Sequence, residues 1–309
     1  MRFVVLGGAG AMGKIVVRDL FESCRRGCTI VVADHHLPKA RGYAKTFRSR
    51  RVKAAQVDVN NVAQTARLLK GADACLNCVQ YELNLKAMQA CLRADVHYLD
   101  LGGLFHVTRK QLKLHSQFKR KGLLAVLGMG AAPGVTNVLA RIGVERLDRV
   151  REIHIRVGGK SLAPMETSVP LAFSYSPQTI LEEHTYKPMV FTKGKFKEVA
   201  PRTGQEEVRL PKPIGLVRAI YTLHSEVATL PLTFRKKGVR EVSFKIAFDP
   251  EFEEKISLLA QLGLASREPM ELQGETVRPF DLLVKVLNSL PKPKNLCPQE
   301  VEVLRAVVK

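Results

Sequence analysis

The chain has 309 residues, 46% of them hydrophobic, and sets 49 Lys and Arg against 29 Asp and Glu for a formal charge of +20. That is the composition of a globular protein with material for a sizeable core, and domains of roughly 100–200 residues predict two of them. No apolar run reaches the roughly 20 residues that cross a bilayer, and Met1-Arg-Phe-Val-Val-Leu-Gly7 turns into glycine too early for a secretory leader, so a cytoplasmic protein is expected.

Residues 1 to about 127 alternate apolar runs with helical patterns. Arg2–Leu6 reads as a short buried strand, followed by glycines and a helix to about Cys24. Thr29–Asp34 is the next strand and Pro38–Phe47 the next helix. Val52–Val57 is a third strand, and Asn61–Lys70 a helix with Asn60 or Asn61 as its cap. Ala74–Val79 and His97–Asp100 are strands around the helix Glu82–Arg93, and Leu123–Leu127 is a sixth. Repeated strand–helix units with continuously apolar strands predict a parallel sheet buried on both faces.

Gly8-Ala-Gly10-Ala-Met-Gly13 is a G-x-G-x-x-G turn directly after a strand and opening a helix, the context in which the motif holds a dinucleotide. The first glycine permits the tight turn and the second admits a pyrophosphate. The third lets helix and strand pack closely, while the helix N-terminus supplies N–H groups and positive dipole. Gly8, Gly10, Ala11, Met12 and Gly13 are therefore candidate cofactor contacts. Asp34 ends the second strand roughly 20 residues further on, where a carboxylate bonds the ribose hydroxyls and repels a 2′-phosphate. That favours NAD, although His35, His36 and Arg41 nearby could hold the phosphate of NADP. Asp58, closing the third strand, is either an adenine-side contact or a helix cap. The fold class expected is α/β, a Rossmann-type doubly wound parallel sheet.

The six cysteines (Cys24, Cys28, Cys75, Cys78, Cys91, Cys297) are too dilute for a disulfide scaffold. Cys75 and Cys78 have C-x-x-C spacing but sit on a strand, where residues three apart point to opposite faces, so neither a metal nor a redox pair is expected. The positive charge gathers in Arg41–Lys53 and Val107–Gly122, stretches without acids that have helix-like apolar spacing. They read as solvated helix faces rather than a nucleic-acid surface, which would add interleaved aromatics.

After Gly158-Gly159 the rhythm changes to α+β. Phe191–Phe196 looks like a hairpin tip. In Glu241–Phe248 the residues Val242, Phe244, Ile246 and Phe248 alternate, as in an antiparallel strand with one face toward water. Pro211-Lys-Pro213 and Pro291-Lys-Pro293 break the segment, and the strand-like Val303–Lys309 ends the chain without a polar tail, as though the molecule continued beyond it. The expected division is residues 1–137, binding NAD(P), and 138–309, an α+β domain for substrate and dimer contacts.

Four segments carry a resemblance: Leu6–Lys14 with Val57-Asp-Val59, His97-Tyr-Leu-Asp-Leu-Gly-Gly103 and Gly130-Ala-Ala-Pro-Gly-Val-Thr-Asn137. Together they resemble the saccharopine dehydrogenase (reductase) family, and within it the lysine 6-dehydrogenase group. The likeness continues through Tyr175–Ile180 and His224–Leu230, covering nearly the whole chain. It implies a homodimer, an amino-acid substrate, further C-terminal residues that return to the Rossmann domain, and hydride transfer at an amine-bearing carbon. Oxidative deamination of lysine is the first expectation. A saccharopine- or carboxynorspermidine-type reductase, or a nucleotide-binding regulator without turnover, are the alternatives.

Such chemistry needs a group that takes the amine proton, tuned near working pH. In a Rossmann enzyme the reactive end lies beyond the carboxyl ends of the strands, at the crevice between the halves. Asp100 is the first candidate for base or ammonium anchor, Tyr81 for proton shuttling, and His224 for an acid, base or carboxylate contact from the second half. Asn77, Cys78, Gly102 and Gly103 are candidates beside the nicotinamide, and Gly130, Pro133, Gly134 and Asn137 beside the substrate. Arg218 could clamp a carboxylate.

Overall fold

Strands that carry helices on both faces have no solvent side, which is why the apolar runs of the amino-terminal half show no alternation. The computed structural model describes residues 1–24, 27–162, 171, 173, 175–290 and 300–309. They fall into two compact units, Met1–Val135 and Thr136–Lys309. The first runs β1 (Arg2–Leu6), α1 (Ala11–Ser23), β2 (Thr29–Asp34), α2 (Leu37–Thr46), β3 (Val52–Gln56), α3 (Val62–Leu69), β4 (Ala74–Asn77), α4 (Asn84–Ala94), β5 (His97–Asp100), α5 (Phe105–Leu112), α6 (His115–Arg120) and β6 (Ala125–Val126).

The six strands form one parallel sheet in the order β3-β2-β1-β4-β5-β6. The order reverses between β1 and β4, whose last residues Leu6 and Asn77 are register partners. In open α/β sheets ligands bind at that switch point. Alternate residues of β1 feed two cores: Val4 and Leu6 pack with Tyr98, Met88 and Cys91, while Val5 packs with Val17, Ile30 and Val32. The C-x-x-C pair divides the same way, Cys75 in the first core and Cys78 against the second. Cys75 hydrogen-bonds Cys91 instead. Cys24 and Cys28 form a disulfide at the end of α1, a local bridge that composition did not announce.

Several boundaries differ from the pattern. A 3-10 turn at Tyr81–Leu83 takes the first residues expected of α4. The basic stretch 107–122 is two helices rather than one. Lys110, Lys113, Lys119 and Arg120 are exposed on them, as are Arg41, Lys45, Arg48, Arg50 and Lys53 around α2. Arg51 is an exception, its guanidinium lying 4.6 Å over the Phe21 ring.

The second unit begins in α7 (Val135–Glu145) and continues β7 (Glu152–Ser161), α8 (Pro177–Thr185), β8 (Met189–Thr192), β9 (Lys195–Glu198), β10 (Glu206–Arg209), β11 (Leu216–Tyr221), α9 (Glu226–Thr233), β12 (Glu241–Ala247), α10 (Pro250–Gln261), β13 (Met270–Leu272), β14 (Glu275–Val277), α11 (Pro279–Ser289) and β15 (Glu300–Val308). Its main sheet has the order β10-β11-β12-β7-β15, with β8 also paired to β12. Lys193 and Gly194, both at positive φ, turn the β8–β9 hairpin, as a two-residue turn with the strands' twist requires. β15 pairs antiparallel with β7 over its length, from Glu300 opposite Ser161 to Val308 opposite Ile153.

The alternation in Glu241–Phe248 misleads about its surroundings. β12 lies inside a mixed sheet, parallel to β7 and antiparallel to β11, and its polar residues Ser243 and Lys245 are buried. Ion pairing replaces water there. Glu206 Oε2 accepts from Lys245 Nζ at 2.6 Å and Arg156 Nη2 at 2.8 Å, and the two cations outweigh burial to hold its carboxyl down to about 2. Cys297 and Pro291-Lys-Pro293 lie outside the described residues. No described helix is long and apolar enough to cross a membrane.

Candidate active site

The turn after β1 is built more tightly than the fingerprint requires. The left-handed residue is Gly7, at φ +70°, one position before the motif; a Cβ there would sit 2.9 Å from the Cys78 carbonyl oxygen. The sharp turn expected at Gly8 therefore belongs to Gly7. Gly8 is a close-approach glycine, its Cβ position 2.9 Å from the Val5 carbonyl oxygen. Gly10 N–H donates to the Gly7 carbonyl at 2.9 Å and begins α1 without a capping side chain or a first-turn acid. Its free N–H groups, with Ala11 and Met12 exposed beside them, fit an anion. A Cβ on Gly13 would lie 2.1 Å from the Gly7 carbonyl oxygen, so this glycine is what seats the helix on the turn.

Asp34 stands against the turn. Its Oδ2 accepts from Ala9 N–H at 3.3 Å and its Oδ1 from His36 N–H at 3.0 Å, with His35 Nδ1 at 3.2 Å. The carboxylate is thus held at the end of β2. Asp58 is exposed and does not cap a helix. Its Oδ1 closes a local turn on Asn60 N–H at 2.9 Å, while Asn61 caps α3.

Beyond β4 and β5 the structure gives the predicted residues different work. Asp100 is 2% exposed and takes four hydrogen bonds: Oδ1 from Gly102 and Gly128 N–H at 2.9 and 2.8 Å, Oδ2 from the Tyr98 hydroxyl at 2.9 Å and Gln111 Nε2 at 2.6 Å. A carboxylate so occupied positions two loops and has no lone pair facing a substrate, which corrects its assignment as base. Asp100→Asn is expected to cost about 2–4 kcal/mol in urea unfolding, because an amide cannot accept from all four donors. An unchanged midpoint would show these bonds to be dispensable.

Asn77 Nδ2 donates to Asn84 Oδ1 at 2.8 Å and the Tyr98 hydroxyl at 3.1 Å, bracing β4 to α4 and β5. Its own Oδ1 is buried without a partner and open to a ligand amide, as is Oε1 of Gln111 beside Asp100. Cys78 is half-buried, and burial with the Asp100 charge pushes its thiol up to about 12, so it contributes no thiolate. Tyr81 is half-buried in the 3-10 turn.

Gly102 and Gly128, both at positive φ, face the Pro133 ring, where a Cβ on either would fall within 2.9 Å. Gly102 is therefore required by the proline wedge, and Gly103 packs near Asn84 and Val107. The Gly130–Asn137 loop likewise closes on itself. Gly130 N–H donates to the Pro133 carbonyl and Val135 N–H to the Gly130 carbonyl, at 2.9 and 3.0 Å. A Cβ on Gly134 would overlap Gly130, and Asn137 Nδ2 donates to Thr229 Oγ1 at 3.2 Å. The Gly130 amide expected to meet a substrate is thus committed within the loop, and Pro133 has no N–H to offer one.

His224 is buried in the second unit, its ring stacked on Phe244 at 3.7 Å. Its Nδ1 hydrogen-bonds Glu226 Oε2, and its Nε2 faces Glu183 Oε1 at 3.9 Å. Thr136 Oγ1 donates to Glu226 Oε1 at 2.7 Å, and the Tyr175 hydroxyl donates to Glu183 Oε2 at 2.5 Å. Burial pushes the Glu183 carboxyl up to about 7, with His224 and Tyr175 opposing. Burial works against charge on His224, but Glu226 and Glu183 outweigh it and hold the imidazole above its ordinary range. This gives a carboxyl that titrates near neutrality, the property sought in Asp100. Tyr175 and Glu226 stand in the segments that carry the family likeness. Glu183 had one available signal, Leu181-Glu-Glu-His184 on a short helix whose residues Ile180–His184 are all buried. Among the described residues no cluster of His, Cys, Asp and Glu could hold a metal ion.

Comparisons with known proteins agree with these two halves. Residues 3–126 match the saccharopine dehydrogenase NADP binding domain and residues 130–304 the saccharopine dehydrogenase C-terminal domain. Carboxyaminopropylagmatine dehydrogenase of Synechocystis is 26% identical over 96% of this chain and 74% of its own length. Carboxynorspermidine synthase of Vibrio cholerae is 24% identical over 94% of the chain and 73% of its own. Among solved structures, saccharopine dehydrogenase (L-Glu forming) of Saccharomyces cerevisiae superposes with a TM-score of 0.66 at 17% identity, over 87% of this chain. The chain spans 60% of that enzyme's length. Homospermidine synthase of Legionella pneumophila, solved with NAD, gives 0.63 at 13% identity, over 85% of this chain and 68% of its own. At such identities the structural matches speak for the fold alone.

Proposed function

Because the chain belongs to the saccharopine dehydrogenase family of NAD(P)-dependent oxidoreductases, we propose that it makes or breaks a carbon–nitrogen bond in a carboxylated polyamine. The curated relatives above, named for carboxyaminopropylagmatine and carboxynorspermidine, support that substrate class over lysine. The observation that carries the chemistry is the buried carboxyl of Glu183, tuned to about 7 between Tyr175 and His224.

The glycine turn and α1 N-terminus would hold the cofactor's diphosphate and Asp34 its adenosine ribose. The cofactor supplies hydride acceptance or donation at its nicotinamide. In the oxidative direction Glu183 takes a proton from the substrate's ammonium, freeing the lone pair that expels hydride and leaves an iminium for water to open. His224, held by Glu226 and through it by Thr136, sets the charge beside Glu183. Tyr175 donates to the carboxylate once it is ionised.

The test is a panel of carboxynorspermidine, carboxyaminopropylagmatine, saccharopine and lysine, each with NAD and with NADP, followed by reduced-nicotinamide absorbance. Turnover with a carboxylated polyamine above that with lysine is expected; lysine as the best substrate would overturn the assignment. Asp34→Ala is expected to weaken NAD about ten- to a hundredfold, the worth of hydrogen bonds to a charged group, and NADP less. Equal losses by calorimetry would remove Asp34 from cofactor selection.

A further inference from the structure

A pocket of about 690 Å3 opens in the second unit between the end of β7, the start of β11 and one side of α10. None of Tyr175, Glu183, His224, Glu226 and Thr136 lines it. Its charges come in both signs: Lys160, Arg202 and Arg218 against Glu253 and Glu254 of α10. Leu216, Phe248 and Leu258 give it apolar wall. Two polar atoms in that wall are buried without hydrogen-bond partners, Arg202 Nε and the hydroxyl of Ser257, a residue only 5% exposed. Behind Phe248, 4.4 Å from its ring centroid, the His184 ring leaves its Nε2 buried and unpartnered as well. An acceptor or donor entering the pocket would satisfy Arg202 Nε and the Ser257 hydroxyl. Burial raises the Glu253 carboxyl above its usual range while the charges of Arg202 and Arg218 oppose the rise, so cations and acid share one small volume.

We infer that this pocket is a second ligand site, shaped for an aliphatic molecule with a carboxylate at one end and an ammonium at the other. The carboxylate meets Arg202, Arg218 and the Ser257 hydroxyl, the ammonium meets Glu253 and Glu254, and the methylenes lie along Leu216 and Phe248. An anion alone would face two carboxylates and a diamine alone three cations; only a molecule carrying both charges satisfies both walls. The far end of a carboxylated polyamine and a free amino acid acting as an effector share this chemistry. The site rests on the pocket and not on the redox reading, so either can fail without the other.

The experiment is calorimetry on the full chain with 5-aminovalerate, valerate and cadaverine. Saturable binding of 5-aminovalerate is expected, with valerate and cadaverine, which carry charge of one sign only, at least about tenfold weaker, since each loses charge-assisted hydrogen bonds. Arg202→Gln and Glu253→Gln should each weaken 5-aminovalerate about tenfold or more, and Ser257→Ala less. Arg218→Gln, at an exposed position, carries the same test should the Arg202 variant fail to fold. Glu183→Gln should leave binding intact. No binding, equal binding of valerate, or indifference to both arginine substitutions would overturn the site. Competitive inhibition by 5-aminovalerate against a carboxylated polyamine would identify the substrate's far end as occupant, and non-competitive inhibition an effector.

Discussion

Gly13→Ala is expected to abolish measurable NAD(P) binding and to lower the unfolding midpoint, the larger loss being in binding. The added methyl would sit 2.1 Å from the Gly7 carbonyl oxygen and 2.7 Å from Gly8 Cα. Both are backbone atoms, so no side-chain rotation relieves the clash, and helix α1 must lift from the turn. Overpacking of this kind costs about 1–3 kcal/mol in stability. Lifting the helix also removes the N–H groups that converge on the diphosphate, so affinity should fall by roughly a hundredfold or more, the worth of two hydrogen bonds to a charged ligand. Gly42→Ala is the control, its Cβ position having nothing within 4 Å and its φ being helical. Comparable affinity in the Gly13 variant by calorimetry would mean that the turn does not hold a dinucleotide.

Glu183→Gln is the second large effect. Removing a general base costs about 10²–10⁴ in turnover, and glutamine keeps the shape and can still accept from the Tyr175 hydroxyl. In the oxidative direction the native enzyme should gain activity as pH rises through about 7, where Glu183 gives up its proton. The glutamine variant should lose that limb as well as its rate. The stability effect has the opposite slope. A carboxyl raised from 4.5 to about 7 binds its proton more tightly in the folded chain than in the unfolded one, so its contribution is full below 4.5 and is lost as pH rises through 7. Against this group the glutamine variant should be flatter over that window in thermal unfolding. A variant that keeps full turnover and the native pH profile would move the base elsewhere.

Much of the nucleotide half was readable because the motif and its context are local. Strand, turn and helix follow within the first 23 residues, and the acid arrives at the end of the next strand. Sequence erred by one residue on the sharp turn, since Gly7-Gly8 offers two candidates and the choice depends on how closely Cys78 passes. Asp100 misled for a different reason. A carboxylate ending a strand at the catalytic end looks functional, and nothing local reveals that Gln111, on the following helix, and Gly128, in the loop after β6, converge on it. Glu183 carried only the weak signal of Leu181-Glu-Glu-His184, because its partners come from residue 175 on one side and residue 224 on the other. The alternation in β12 was read correctly as a strand and wrongly as half-solvated, its polar side being covered by Glu206 and Arg156.

The most direct measurement is the absorbance of reduced nicotinamide when the full chain is mixed with NAD or NADP and carboxynorspermidine or carboxyaminopropylagmatine. Steady growth of that signal, lost in both Gly13→Ala and Glu183→Gln, is the expected result. No reduced cofactor with either compound, from folded protein that binds the dinucleotide, would contradict amine oxidation of carboxylated polyamines by this chain.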